Sequence, residues 1–499
     1  MAAGSLGDTP PPLGGRAWCG HALVAALLGL AYVWTLLPGA GLGDTAELQT
    51  CAATLSLPHT PGYPLQVLWM AAFDRLVPLG SSAWRANLCT AVTMIAACCA
   101  LLVLARRLGA SAPAAAGLAL AFGASLPVWR SAIAAEVYAL LLLLLALSFE
   151  RWLAWHAAPS RKRLWLALTA TGLAVTHHPL SLFALPGLAL LACGPGGWRG
   201  LLRRAALQAA AALALAVLLY GWLAWRWRDP QLAYTALWLD EPARAWFEIS
   251  GGQFRGRMFG LGLEELLEQR APQFLATLGG ALAWLTPAAL AGWLLPARER
   301  VRAALLLGAV GPAVFALTYG IPDIEPYFLP TLLCLFASSA LALSWCERQG
   351  PVGAWLAPGA ALALGCAHLY WNHAPADRRE EARHERAALA QLERIGRDAL
   401  LLWPNAEQSQ LLWHLLLVGD AQGRGMHVVH DRDMGALRRY MSEGEPLFER
   451  HTRRSIQPGL TPWACSEAAI AALRARGFEL EPEQGGVARV LAAPPVTPR

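Results

Sequence analysis

The chain has 499 residues and a mass of 53.4 kDa, is 56% hydrophobic and only 15% charged, and carries a formal charge of +6 with a mean hydropathy of +0.39. Soluble domains average about 25% charged residues, and here the apolar residues gather in blocks of about 16–24, near the length a bilayer core requires. This excludes a disordered, fibrous or ordinary cytosolic protein. It also excludes a nucleic-acid reading of the basic balance, because the excess Arg sits in the gaps between apolar blocks.

Residues 1–17, with Thr9-Pro-Pro-Pro, read as a short cytoplasmic tail. About eleven spans follow, near 18–38, 86–105, 111–127, 137–153, 164–178, 180–193, 205–226, 272–295, 301–319, 327–346 and 352–371. The first is too long for a cleavable signal. With the N-terminus inside, Arg106, Arg107, Arg151, Arg161, Lys162, Arg163, Arg199, Arg203, Arg204, Arg298, Arg300, Arg302 and Arg348 fall in cytoplasmic gaps. The short outer gaps carry Arg75, Arg85 and Arg130, so the positive-inside rule favours this orientation. An odd span count puts the C-terminal region outside. Most of the ten Cys lie in apolar blocks and read as small buried hydrophobes.

The first outer loop (39–85) holds Asp44 and Glu47 at i and i+3, on one face at a helix start. The spacing also suits a capping arrangement, with Asp44 as N-cap and Glu47 reaching back. After Pro58 and His59, the stretch Leu65–Leu76 is apolar but too short to cross, so it belongs at the interface. Carboxylates and a His between two short surface helices make an interfacial pocket suited to a substrate with one lipid and one polar end.

Charged groups near membrane depth mark function or local pairing. Glu136 lies near Arg130. His177 and His178 end a span, and adjacent imidazoles diverge on a helix, which argues against a two-His metal site. Asp323 and Glu325 sit in a Pro-stiffened turn, and either bind a substrate or simply face water. The long outer loop (227–271) carries Gly251-Gly-Gln-Phe-Arg255-Gly-Arg257, whose guanidiniums suit phosphate. The spacing shows neither a nucleotide fingerprint nor a metal motif.

The run Asp44-Thr-Ala-Glu47, then His59-Thr-Pro-Gly-Tyr63-Pro-Leu65, then Ser82-Ala-Trp84-Arg85-Ala-Asn87-Leu88 resembles the transmembrane protein 260 type of protein O-mannosyltransferase. The resemblance continues through Ala135-Glu136-Val-Tyr138, Thr176-His177-His178 and Pro322-Asp323-Ile-Glu325-Pro-Tyr327, over roughly residues 20–335. Ala46 replaces a common Gly, and Thr60 a common Pro. The resemblance implies an all-α polytopic membrane protein of the GT-C class of integral-membrane glycosyltransferases, using a polyprenyl-phosphate sugar donor on the non-cytoplasmic face. It implies a catalytic acid on the first outer loop, hence Asp44 with Glu47. His59, Tyr63, Arg85, Glu136, Tyr138, His177, His178, Arg255, Arg257, Asp323 and Glu325 are then candidates for donor or acceptor binding, and Arg85 joins Arg255 and Arg257 as a phosphate cation. No metal ligand is assigned, and metal dependence stays open.

Residues 372–499 read as a small soluble α/β domain: a strand at 398–403, a helix at 406–418, a strand at 426–430, helices near 433–441 and 466–476, and a terminal hairpin. Its expected role is to bind the acceptor or stabilise the protein. The leading expectation is sugar transfer, mannose by the family's chemistry, to a protein hydroxyl; a surface glycan or lipid acceptor, a lipid-linked sugar flippase and a membrane scaffold are alternatives. Scarce Lys beside abundant Arg and Ala suggests a bacterial inner membrane, with the site facing the periplasm.

Overall fold

The computed structural model describes residues 15–193, 197–295, 299–403, 406–430, 434–481 and 487–494. Residues 1–14 of the expected tail, and Arg298, Asp433, Gly485 and Gly486, lie outside the described residues. The chain begins with α1 (Gly15–Thr35), the short α2 (Gly43–Thr54) and α3 (Pro64–Leu76), and the long α4 (Ser82–Arg107). Then come α5 (Ala112–Ala124), α6 (Leu126–Ala132), α7 (Tyr138–Ala157), α8 (Arg161–His177), α9 (Leu185–Ala192) and α10 (Gly197–Trp227). After α11 (Pro242–Ile249), α12 (Leu263–Glu265), α13 (Ala271–Leu282) and α14 (Thr286–Leu294), the bundle closes with α15 (Glu299–Thr318), α16 (Leu329–Glu347) and α17 (Pro351–Ala376).

Each of the eleven expected spans overlaps a helix. Among the described residues, seven helices are long and apolar enough to cross a membrane, eight if the bent pair α5–α6 is one span. That pair turns by 68° around Ser125, where Pro127 cannot continue the helical ladder. The chain reverses at His178: its ring meets Tyr63 at one end of the bundle, whereas the Cys193 carbonyl accepts from Arg300 (2.6 Å) at the other. Segments 164–178 and 180–193 therefore run in opposite directions as separate helices, not as one broken helix.

The arginines that the sequence gathers in one set of gaps close one end of the bundle. Arg107 and Arg151 both clasp the buried Glu150, Glu347 accepts from the Ser111 amide (2.9 Å), and Arg348 donates to Ser344 (2.6 Å). Between the ends, helices pack through small residues; a Cβ on Gly117 would meet the backbone of α17 at 2.5 Å. α16 forms the centre, with 94% of its apolar window buried, whereas α10 keeps Leu213, Val217 and Leu218 exposed for lipid.

α18 (Ala382–Ile395) leads into the α/β domain: β1 (Ala399–Trp403), α19 (Ala406–Leu417), β2 (His427–His430), α20 (Met434–Glu443), β3 (Leu447–Glu449), β4 (Arg454–Ile456), β5 (Thr461–Ala464), α21 (Glu467–Ala475), β6 (Glu479–Leu480) and β7 (Ala488–Ala492). The main sheet runs β2-β1-β5-β7-β6, parallel across its first three strands, and β3 pairs with β4 as a separate hairpin. The terminal hairpin expected from sequence is the antiparallel pair β6–β7.

The first loop is held by a buried amide clamp. Asn87 donates to the Leu37 (2.8 Å) and Gly39 (3.1 Å) carbonyls, while its oxygen accepts from Gln49 (2.9 Å) and the Ala135 amide (2.9 Å). Gln49 in turn accepts from the Gly41 amide (3.1 Å). Replacing Asn87 with Leu strands these groups at about 1–3 kcal/mol each. The expected outcome is a clear fall in the melting temperature of the detergent-solubilised protein; an unchanged melt refutes the clamp.

Candidate active site

α2 begins at Gly43 with Leu42 as N-cap and no side-chain cap, so the capping arrangement for Asp44 and Glu47 is not formed. Instead Glu47 is fully buried, and its Oε2 lies 2.5 Å from His59 Nδ1. Its Oε1 accepts from the Tyr234 hydroxyl (2.8 Å) and the Gln410 amide (3.4 Å). Asp44, one turn earlier, stays two-thirds exposed, with its carboxylate 3.7 Å from the same His59 nitrogen. One carboxylate is locked and the other is open to a substrate.

The Pro-Gly-Tyr-Pro turn aims His59. Gly62, at φ +93°, closes the turn by donating to the His59 carbonyl (2.8 Å), and a Cβ there would meet Leu237 and Leu223 at 2.7 and 2.8 Å. Tyr63 packs its ring edge-on to His59 (5.5 Å) and stacks on His178 (5.6 Å). Tyr138 and Tyr327 complete this aromatic cluster. His177 sits at the edge of the cluster, its ring 6.5 Å from that of Tyr63, and is hydrogen-bonded to the Val137 carbonyl at 2.9 Å.

Burial disfavours charge on His59, but Asp44 and Glu47 and the hydrogen bond to Glu47 outweigh it and raise its pKa to about 10. Burial likewise pushes the Glu47 carboxyl up, yet the His59 charge and hydrogen bonds from His59 and Tyr234 hold it below its ordinary value. The two form an imidazolium–carboxylate pair.

A second cavity, about 210 Å³, opens nearby between Arg130, Glu136, Asp323, Glu325 and Arg378. Burial and the charge of Asp44 raise the Glu136 carboxyl to about 8, and the same two causes raise Asp323. Arg130 does not pair with Glu136 but donates to the Pro375 carbonyl (3.1 and 3.3 Å). Among the predicted phosphate cations, Arg85 is committed to Asp74 (2.7 Å) and the Gly80 carbonyl (2.7 Å), bracing α3 against α4. Arg255 is exposed and donates to Ser250 (2.6 Å). The Arg257 carbonyl accepts from the Gly320 amide (2.9 Å), which seats its turn beside Tyr319.

Residues far apart in sequence complete the site. Tyr234 is fully buried, stacked on His451 at 5.4 Å, and Gln410 arrives on α19. Arg378, between α17 and α18, faces Glu136 and Asp323. They carry no sequence signal of their own; the first-loop glycines mark only where the second layer packs, since a Cβ on Gly39 would collide with Glu385 of α18. Asp44, Glu47 and His59 also place one ligand atom each within 4.8 Å, a trio capable of holding a divalent cation that spacing alone did not reveal. In this arrangement the imidazolium supplies the positive charge there.

The bundle and appended α/β domain have the GT-C-type fold of ArnT from Cupriavidus metallidurans. Its crystal structure bound to undecaprenyl phosphate superposes with a TM-score of 0.64 at 16% identity, covering 96% of this chain and all of that one. The apo form gives 0.65 at 15% identity, over 97% of this chain and all of that one. The cryo-EM structure of the arabinofuranosyltransferase AftD from Mycobacteria gives 0.52 at 15% identity, over 94% of this chain and 39% of that one. At these identities the likeness is one of fold. The segment holding the acidic loop is more specific: residues 44–194 match the family model of the Protein O-mannosyl-transferase TMEM260 N-terminal domain. Over 154 residues the chain is 36% identical to Protein O-mannosyl-transferase TMEM260 of Mus musculus, covering 28% of this chain and 22% of that protein. The chain thus spans about a fifth of that relative's length.

The charge pair fixes a pH dependence. Since the His59 pKa rises from 6.5 to about 10, its contribution to stability is complete below pH 6.5 and is lost as pH climbs toward 10. The lowered Glu47 pKa contributes above its ordinary 4.5 and is lost as pH falls below that value. Melting temperature should therefore decline on the alkaline side, and His59→Gln should abolish that decline; an alkaline slope that survives the substitution refutes the pair.

Proposed function

We propose that this chain is a glycosyltransferase that moves a sugar, mannose by the family match, from a polyprenyl-phosphate carrier to a protein hydroxyl. The observation that carries this reading is an exposed carboxylate, Asp44, beside a buried imidazolium–carboxylate pair at one end of a GT-C-type bundle. The acceptor oxygen attacks the anomeric carbon, the carbon–oxygen bond to phosphate breaks, and the hydroxyl proton passes to Asp44. Glu47 is saturated by His59, Tyr234 and Gln410, which favours Asp44 over Glu47 as the base. Polyprenyl phosphate leaves as a stable anion, so the leaving side needs cations rather than a proton donor. His59 beside the acids, Arg130 and Arg378 at the second cavity and Arg257 beside Tyr319 are the positive groups open to the phosphate, whereas Arg85 is held by Asp74.

The catalytic unit spans residues 18–371 and the α/β domain residues 372–499. The arginine-rich end faces the cytoplasm under the positive-inside rule, which places Asp44 on the opposite face, the periplasm in a bacterial inner membrane. Asp44→Asn keeps the shape of the side chain and removes its basicity. It should lower transfer from a synthetic polyprenyl-phosphate mannose by about 10²–10⁴-fold. Wild-type transfer by this variant would falsify the assignment of the base.

A further inference from the structure

A cavity of about 310 Å³ lies between Glu47 and His59 on one side and the α/β domain on the other. We infer that it is the acceptor subsite and takes a short polypeptide segment presenting a hydroxyl side chain, an inference that rests on the transferase reading above. Its floor is the charge pair itself, so an acceptor seated here lies next to Asp44.

The wall opposite is built to hold still. Glu449 is buried and its carboxylate accepts from Trp413 Nε1 (3.2 Å), the Val428 amide (3.2 Å), Thr452 (2.6 Å) and His427 Nδ1 (3.0 Å). Four donors leave it little capacity for a ligand; its work is to tie the β3–β4 hairpin to the edge strand β2. The turn of that hairpin is fastened to the first half of the protein as well. The Thr235 amide donates to the His451 carbonyl (2.8 Å), the His451 ring lies flat on Tyr234, and the Tyr234 hydroxyl binds Glu47. Cavity wall and catalytic pair therefore form one connected structure.

The lining identifies the ligand class. The amide of Gln253 offers a donor and an acceptor, which matches a peptide group, and Gln410, whose oxygen accepts from Tyr234 (3.0 Å) and one of whose amide protons goes to Glu47 (3.4 Å), keeps its second N–H for a peptide carbonyl. Trp413, Phe448, Val428 and Val429 supply apolar surface for the side chains that flank a hydroxyl residue. Besides the His59 imidazolium, which is paired with Glu47, the lining cation is Arg450, which lies over the Trp238 ring. The charged groups that suit a phosphate instead line the second cavity, with Arg130 and Arg378. Two chemically different cavities, one floored by the pair next to Asp44 and one lined by Glu136, whose carboxyl feels the Asp44 charge, suit two different substrates, and the α/β-domain cavity has the character of a polypeptide site.

The test uses the full-length protein in detergent with a synthetic Ser/Thr-containing peptide. Phe448 is about half exposed, so replacing it does not disturb a core. Benzoyl-phenylalanine in its place should crosslink the peptide on irradiation, in the wild-type and in the Asp44→Asn background alike. Phe448→Ala should raise the peptide KM about tenfold or more and the donor KM less than twofold. Absence of a crosslink, or equal rises in both KM values, overturns the subsite. Competition by a free oligosaccharide as effective as the peptide overturns its assignment to polypeptide. If Asp44→Asn keeps full transfer while the crosslink persists, the catalytic reading fails and the subsite stands.

Discussion

The Glu47 carboxylate is the point on which the arrangement depends. It is an ionised group with no access to water, on a short helix at the end of a membrane bundle, and such a charge persists only if every lone pair finds a donor. His59 comes from the loop after α2, Tyr234 from the loop after α10, and Gln410 from the α/β domain. Three parts of the chain are thus drawn to one atom pair. The resulting positive charge on His59 stands directly beside Asp44, whose carboxylate is left open to solvent.

The two ends of the bundle solve opposite electrostatic problems. At one end arginines neutralise the few buried acids, as Arg107 and Arg151 do for Glu150. At the other, Asp44, Glu136, Asp323 and Glu325 converge with fewer cations, and burial together with mutual repulsion raises Glu136 and Asp323. An excess of acid around an open cavity stores no stability. It is the pattern expected where groups are held for chemistry on a substrate.

The α/β domain is more than an appendage. The Ala46–Cys51 face of α2 and the Leu411, Leu412 and Leu415 face of α19 share one hydrophobic cluster, and Thr50 meets His414 at 3.2 Å. Gly39 is small because α18 lies against it, and Gly43 sits at φ +53° where α2 turns in beneath α19. In the folded chain these glycines mark where the second layer docks.

Much of the site was legible before folding was known. Apolar blocks with Arg-bearing gaps announce a polytopic bundle, because lipid imposes segment length and the membrane imposes charge asymmetry, both local properties of sequence. The i, i+3 acids and the Pro-Gly-Tyr-Pro turn announce the carboxylates and His59 for the same reason. What each of those groups does was decided only in three dimensions. Glu47 is no cap because Tyr234 and His59 offer better partners, and Arg85 does not reach the acids because Asp74 is nearer. Tyr234, Arg378 and Gln410 carry no pattern of their own; burial and proximity, which depend on where distant segments pack, gave them their place.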